Sequence, residues 1–185
     1  MNAGIGYISE DRGGEGLQVN QAIDFNISLA ALKHIRRGVF LDLKKEKAVN
    51  QKLIEKLQVK CESMKQKVTN LSGGNQQKVV IAKWLATKPK VLIMDEPTSG
   101  LDPLVRGQLL KILTEYMENG GKGVFFSTHI TSDLDKIADM LIMIDNGRIV
   151  FREEKDTLLD TYRIVKGDSG ALTTDARKLF LSISE

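Results

Sequence analysis

The feature that most constrains this chain is a pair of short apolar runs, each ending abruptly in polar residues, with a helix-like segment between them. Val91-Leu92-Ile93-Met94 follows Pro89 and stops at Asp95-Glu96-Pro97. Val124-Phe125-Phe126 stops at Ser127-Thr128-His129. Compact runs without polar alternation are expected of strands buried on both faces. Between them, Asp102-Pro103 supplies a helix N-cap with proline at the first helical position. Val105, Leu109, Ile112, Leu113 and Tyr116 give that helix one apolar face, and Asn119-Gly120-Gly121 stops it. Ser132-x-x-Asp135 reads as a capping box opening a short helix. Leu141-Ile142-Met143-Ile144 follows, then Asn146-Gly147, a hairpin turn signal, and Arg148-Ile149-Val150-Phe151. Strand, helix, strand, helix, strand implies an α/β fold built on a parallel sheet.

The front half has a different texture. Ile5-Gly6-Tyr7-Ile8 reads as a short strand ending in polar residues. From there to about Leu85 the apolar spacing is helical, with segments expected at 22–34, 44–58 and 73–86. One more helix is expected from Asp156 to about Tyr162, and 169–185 carry no usable signal.

At 185 residues, 42% hydrophobic and 28% charged, the chain suffices for one substantial core. No run of about 18 apolar residues is present, so none spans a membrane as a helix. The N-terminus carries no signal-peptide pattern. The lone Cys61 has no internal disulfide partner, which fits a reducing compartment. The net charge of +3 hides an asymmetry: residues 33–67 hold eleven Lys/Arg against four Asp/Glu. Such a segment fits nucleic acid, an anionic membrane surface or a solvated helix. Val49, Leu53 and Leu57 recur every four residues, and no aromatic interleaves the lysines of 44–67 to stack bases, so the solvated helix is favoured. His34, among Lys33, Arg36 and Arg37, reads as a surface residue.

Ligands of open parallel sheets bind beyond the carboxyl ends of the strands. Asp95 and Glu96 lie at one such end, and His129 follows another. One acid there suits Mg²⁺, which takes one or two carboxylates plus phosphate oxygens; a second suits the deprotonation of water. The bland alternative is a chain turn. Ser72-Gly73-Gly74, ahead of a helix, offers unpaired N–H groups to a phosphate, with Ser72 as its cap. No Gly-x-x-x-x-Gly-Lys-[Ser/Thr] loop occurs anywhere in the chain.

These motifs carry a resemblance to the ATP-binding cassette (ABC) ATPases. Leu71-Ser72-Gly73-Gly74-Asn75-Gln76-Gln77-Lys78-Val79 resembles the ABC signature in the form found in monosaccharide importers. Val91-Leu92-Ile93-Met94-Asp95-Glu96 resembles Walker B with its catalytic glutamate, Ser99-Gly100-Leu101-Asp102 the D-loop, and His129 the switch histidine. Glu10 falls where the family has its Q-loop glutamine. Residues 4–98 resemble the second cassette of ribose and galactose importer ATPases, whereas 99–167 resemble exporter-type cassettes.

The resemblance implies a P-loop-NTPase-type sheet with an inserted helical subdomain, beginning just before the Q-loop and lacking Walker A. Its division would be 1–10 for a core strand and the start of the Q-loop, 11–88 for the helical subdomain, 89–168 for the α/β core and 169–185 for a tail. It further implies ATP and Mg²⁺ as cofactors: Glu96 and His129 catalytic, Asp95 and Glu10 toward the metal, and Glu10, Ser72, Gly73, Gly74, Asn75 and Asp102 toward the nucleotide. Permease subunits and a second cassette would be its partners, without nucleic acid, at the cytoplasmic face of the cell membrane. Three readings stand: a transport ATPase fragment for sugar import, or of exporter type; a non-catalytic piece donating its signature to a partner; and a DNA-associated ABC ATPase. The last is disfavoured because no long heptad segment is present.

Overall fold

The structure, a computed structural model, describes residues 4–118 and 120–162. Strand β1 (Ile5–Ile8) pairs in parallel with β4 (Val91–Asp95), in register Ile5↔Val91 through Ile8↔Met94. On its other side β4 pairs in parallel with β5 (Gly123–Ser127), from Val91↔Gly123 to Asp95↔Ser127. The order β1-β4-β5 makes β4 the central strand, and its Leu92 and Met94 are buried. The strand is as expected, but burial on both faces is not: Val91 and, on β5, Phe125 are exposed, so β4 buries only the face carrying Leu92 and Met94. The return from β4 to β5 is α4 (Pro103–Glu118), which buries Leu109, Leu110, Ile112, Leu113 and Tyr116. Asp102 Oδ1 accepts from the N–H groups of Leu104 and Val105, so the capping residue read from sequence does cap.

The long return from β1 to β4 contains the helical part. It comprises α1 (Ile23–Ile35), the two-residue strands β2 (Arg36–Arg37) and β3 (Phe40–Leu41), α2 (Leu43–Lys56) and α3 (Gly73–Leu85). Ile23, Ile27, Ala31 and Ile35 recur every fourth residue on α1 and are all buried, the spacing of a helix laid flat on a core. Ile23, Ile27 and Ala31 share that core with Val79, Val80, Ile81 and Ala82 of α3. Two buried amides are satisfied: Asn26 bonds both backbone groups of Gln18, and Asn50 Nδ2 donates to Asp24 O and Ser28 Oγ. The lysines of α2 are exposed, as is His34. Gly6 lets α3 lie against β1, since a Cβ there would sit 3.0 Å from Leu92 Cδ2 and 3.1 Å from Trp84 Cε3.

A second compact unit begins at Ala138. In it β6 (Met140–Asp145) and β7 (Arg148–Glu154) form an antiparallel hairpin, followed by α6 (Lys155–Thr161). Asn146 and Gly147 both have positive φ, 47° and 75°, as a type I′ turn demands. Here the structure corrects the expected topology. The run Leu141-Ile142-Met143-Ile144 is not a member of the parallel sheet, and its only bonded neighbour among the described residues is β7. A two-residue turn brings β7 alongside at once, whereas joining β5 requires a crossover. Ile142, Met143 and Ile144 are accordingly exposed. The short helix is α5 (Thr131–Ile137). Ser132 lies inside it rather than capping it, and its Oγ accepts instead from Arg106 Nη2. Residues 169–185, expected as a tail, lie outside the described residues.

Candidate functional site

At the carboxyl end of the parallel sheet, register sets the first contact: Asp95 is paired with Ser127, and Ser127 Oγ donates to Asp95 Oδ1. The next residue turns sharply. Glu96 has φ 42°, the left-handed region that non-glycine residues occupy at a cost, most often where a site requires it. Its N–H donates to Ser127 O at 3.2 Å. The turn carries its carboxylate to His129: Glu96 Oε1 accepts from the His129 backbone N–H at 3.1 Å and lies 2.9 Å from Nδ1. That distance fits the tautomer carrying its proton on Nδ1, or the imidazolium. The Glu96 side chain is 19% exposed and that of His129 73%. Glu96 Oε2 is buried without a hydrogen-bond partner.

The arrangement thus has one carboxylate oxygen held by histidine and a second with no donor, beside a further carboxylate steadied by a hydroxyl. Asp95, Glu96 and His129, singled out separately in the sequence, come together. Ser127 completes the set; it was read only as the end of a strand.

Ser72, Gly73, Gly74 and Asn75 form the start of α3. Ser72 is its N-cap residue by position but makes no side-chain cap bond. Its Oγ accepts from Asn75 Nδ2 at 3.0 Å, and Asn75 Oδ1 accepts from Lys60 N–H. The expected hydroxyl cap is therefore corrected: a side-chain amide one turn on reaches back and occupies the oxygen. Gly74 packs on α4, where a Cβ would lie 3.1 Å from Val105 Cγ1. One helical turn further, Gln77 Nε2 donates to Pro97 O at 3.0 Å. The start of α3 is thereby tied both to the helix capped by Asp102 and to the loop after Glu96.

Arg12, two residues beyond Glu10, reaches the same place. Its Nη1 donates to Gly73 O at 3.4 Å, and its Nη2 would lie 3.6 Å from a Cβ on Gly100. Glu10 is exposed, two residues beyond the end of β1. Lys78 is structural: Nζ donates to Gln58 O and Gln108 Oε1, and burial, followed by Lys60, holds its pKa below the usual lysine value. Burial pushes the Cys61 thiol up, which leaves it less of a nucleophile. Among the described residues no three His, Cys, Asp or Glu side chains gather as a metal site. Asp95 and Glu10 fit Mg²⁺ only in the mode that takes its other ligands from phosphate and water.

The sequence model of the ABC transporter family matches residues 1–99. The chain belongs to the ABC transporter ATP-binding cassettes. The cassette is 36% identical over 173 residues to a ribose import ATP-binding protein RbsA 1 of Rhizobium meliloti, covering 94% of this chain and 34% of the relative. It is 41% identical over 146 residues to the RbsA protein of a Jannaschia species, covering 79% and 28% respectively. The cassette thus spans about a third of the length of these relatives. Among solved structures, the ATP-binding cassette MJ0796, in a dimeric post-hydrolysis state with ADP and Pi, superposes with TM-score 0.70 at 24% identity. That match covers 81% of this chain and 62% of the other. The cassette cbiO1 of Clostridium perfringens, part of the transporter complex cbiONQ, superposes with TM-score 0.69 at 23% identity, covering 86% and 60%. These likenesses establish the α/β cassette fold. Among the described residues no helix is long and apolar enough to cross a membrane.

Proposed function

We propose that this cassette is part of the ATP-hydrolysing subunit of a transporter that imports monosaccharides. The observation that carries the reading is the Glu96–His129 pair beside Asp95 at the carboxyl end of the sheet. The identity to ribose import proteins supports the substrate class. In this reading Glu96 takes the proton of an attacking water, and His129, fixed by its bonds to Oε1, contacts the terminal phosphate. Asp95, with Glu10, holds Mg²⁺, which when bound neutralises phosphate charge. Ser72, Gly73, Gly74 and Asn75 face the phosphates of ATP bound on a second cassette, with Asp102 at the interface between the two. The permease docks on the helical subdomain, at 11–88, at the cytoplasmic face of the membrane.

The chain has no Gly-x-x-x-x-Gly-Lys-[Ser/Thr] loop, and its acids cannot replace that positive cradle. The gathering of Ser72, Gly73, Gly74 and Asn75 at the start of α3 supports a second reading, in which the chain only donates these residues to a partner. Two experiments separate them. A version with a P-loop segment supplied in frame hydrolyses ATP on the first reading, and Glu96→Gln abolishes turnover while retaining ATP binding. Mixing the native chain with a cassette that has an intact P-loop but a dead signature restores hydrolysis on either reading, and Ser72→Arg removes it. No hydrolysis by the restored version, alongside recovery in the mixture, leaves signature donation alone. No activity in either, where association is demonstrated, overturns both.

A further inference from the structure

We propose that Thr98, Arg106 and Asp133 form a buried positioning cluster that sets the separation of the Glu96 and His129 loops. Asp133 is fully buried and both its carboxylate oxygens are engaged. Thr98 Oγ1 donates to Oδ2 at 2.7 Å, and Arg106 Nε donates to Oδ1 at 2.6 Å. Arg106 Nη2 donates in turn to Ser132 Oγ at 2.7 Å. A carboxylate taken wholly out of water is costly, and an apolar trio of similar volume would serve packing as well or better. What the polar trio adds is direction and a defined distance.

Its members lie in three chain segments, each close to a residue of the site. Thr98 is two residues beyond Glu96, Asp133 four beyond His129, and Arg106 one turn beyond Asp102, whose carbonyl accepts the Arg106 N–H. The Glu96–His129 contact itself is at the surface, with His129 largely exposed, and exposed pairs hold little on their own. The Thr98–Asp133 bond joins the segments that follow Glu96 and His129 where water does not compete.

The inference rests on the reading of Glu96 and His129 as a functional pair, but its test requires neither nucleotide nor turnover. In the full 185-residue chain, amide exchange is followed by NMR at His129, whose N–H is bonded to Glu96 Oε1, and along β4. The His129 ring resonance is read in parallel, only one other histidine being present. Thr98→Val keeps volume and removes the donor. It should speed His129 amide exchange about tenfold and shift the ring resonance while β4 amides change by less than about twofold. Thr98→Ser should restore both. Asp133→Asn should repeat the effect; if that variant does not fold, Thr98→Val decides. Unchanged exchange at His129, or equal acceleration at His129 and β4, would overturn the proposal by showing no effect or merely global destabilisation. Absence of ATPase activity in the restored cassette would leave this result intact, so the two ideas fail separately.

Discussion

Glu96 carries two costs at once: a left-handed backbone and a buried oxygen without a donor. Glycine at this position would remove both, so Glu96→Gly should raise stability by about 1 kcal/mol in urea unfolding. A loss of stability would show that its bonds to His129 outweigh the strain. Tyr116 presents the opposite case. Its hydroxyl donates to Pro89 O, joining α4 to the lead-in of β4, and burial raises its pKa. Tyr116→Phe should cost about 0.5–1.5 kcal/mol near neutral pH. The sign at alkaline pH follows from the raised value. Above about pH 10 the unfolded chain releases this proton while the folded chain retains it, so folding loses the contribution as pH rises. The gap between wild type and Tyr116→Phe should therefore shrink above pH 10, and a constant gap would assign the bond no linkage to titration.

At the scale of elements, the hairpin and the parallel sheet should respond independently. Gly147→Val forces a β-branched residue into a left-handed turn and should cost the β6–β7 hairpin about 1–2 kcal/mol. Amide exchange should quicken in β6 and β7 while β4 is unaffected; acceleration in both would join them into one cooperative unit. The same elements mark what the sequence makes legible. β1, β4, β5 and α4 were readable because each carries its signal within a few residues: a compact apolar run, or a cap followed by one apolar face. The meeting of Asp95, Glu96 and His129 followed from placing strand ends on one edge. The partner of β6 was not readable, because an apolar run of four has the same appearance in a buried strand and an exposed hairpin. β2 and β3 are too short to leave a period. The engagement of Ser72 by Asn75, and the gathering of Thr98, Arg106 and Asp133, depend on side-chain reach. In the second case partners 27 and 35 positions apart meet, and no local pattern announces such a pairing.

Among the described residues the parallel sheet has β1 and β5 as its terminal strands, and Phe125 on β5 is 55% exposed. Unpaired strand edges template association. The chain should therefore self-associate with rising concentration, and Phe125→Lys should reduce this in light scattering; an unchanged profile would place the contact elsewhere. The register Ile5↔Val91 also has a consequence in time. β1 leaves the ribosome well before its neighbour β4 exists, and synthesis at about 5–20 residues per second leaves a wait on the order of ten seconds. During that interval the helices can form locally, each within its own stretch of sequence, while Ile5-Gly6-Tyr7-Ile8 remains a nascent strand without a ladder. The last-made strand of the trio, β5, adds to an edge of β4 that emerged only some thirty residues earlier. Translation speed through 9–90 thus becomes a determinant of yield, and slow codons there would lengthen the exposure of β1 without altering a single contact in the finished fold.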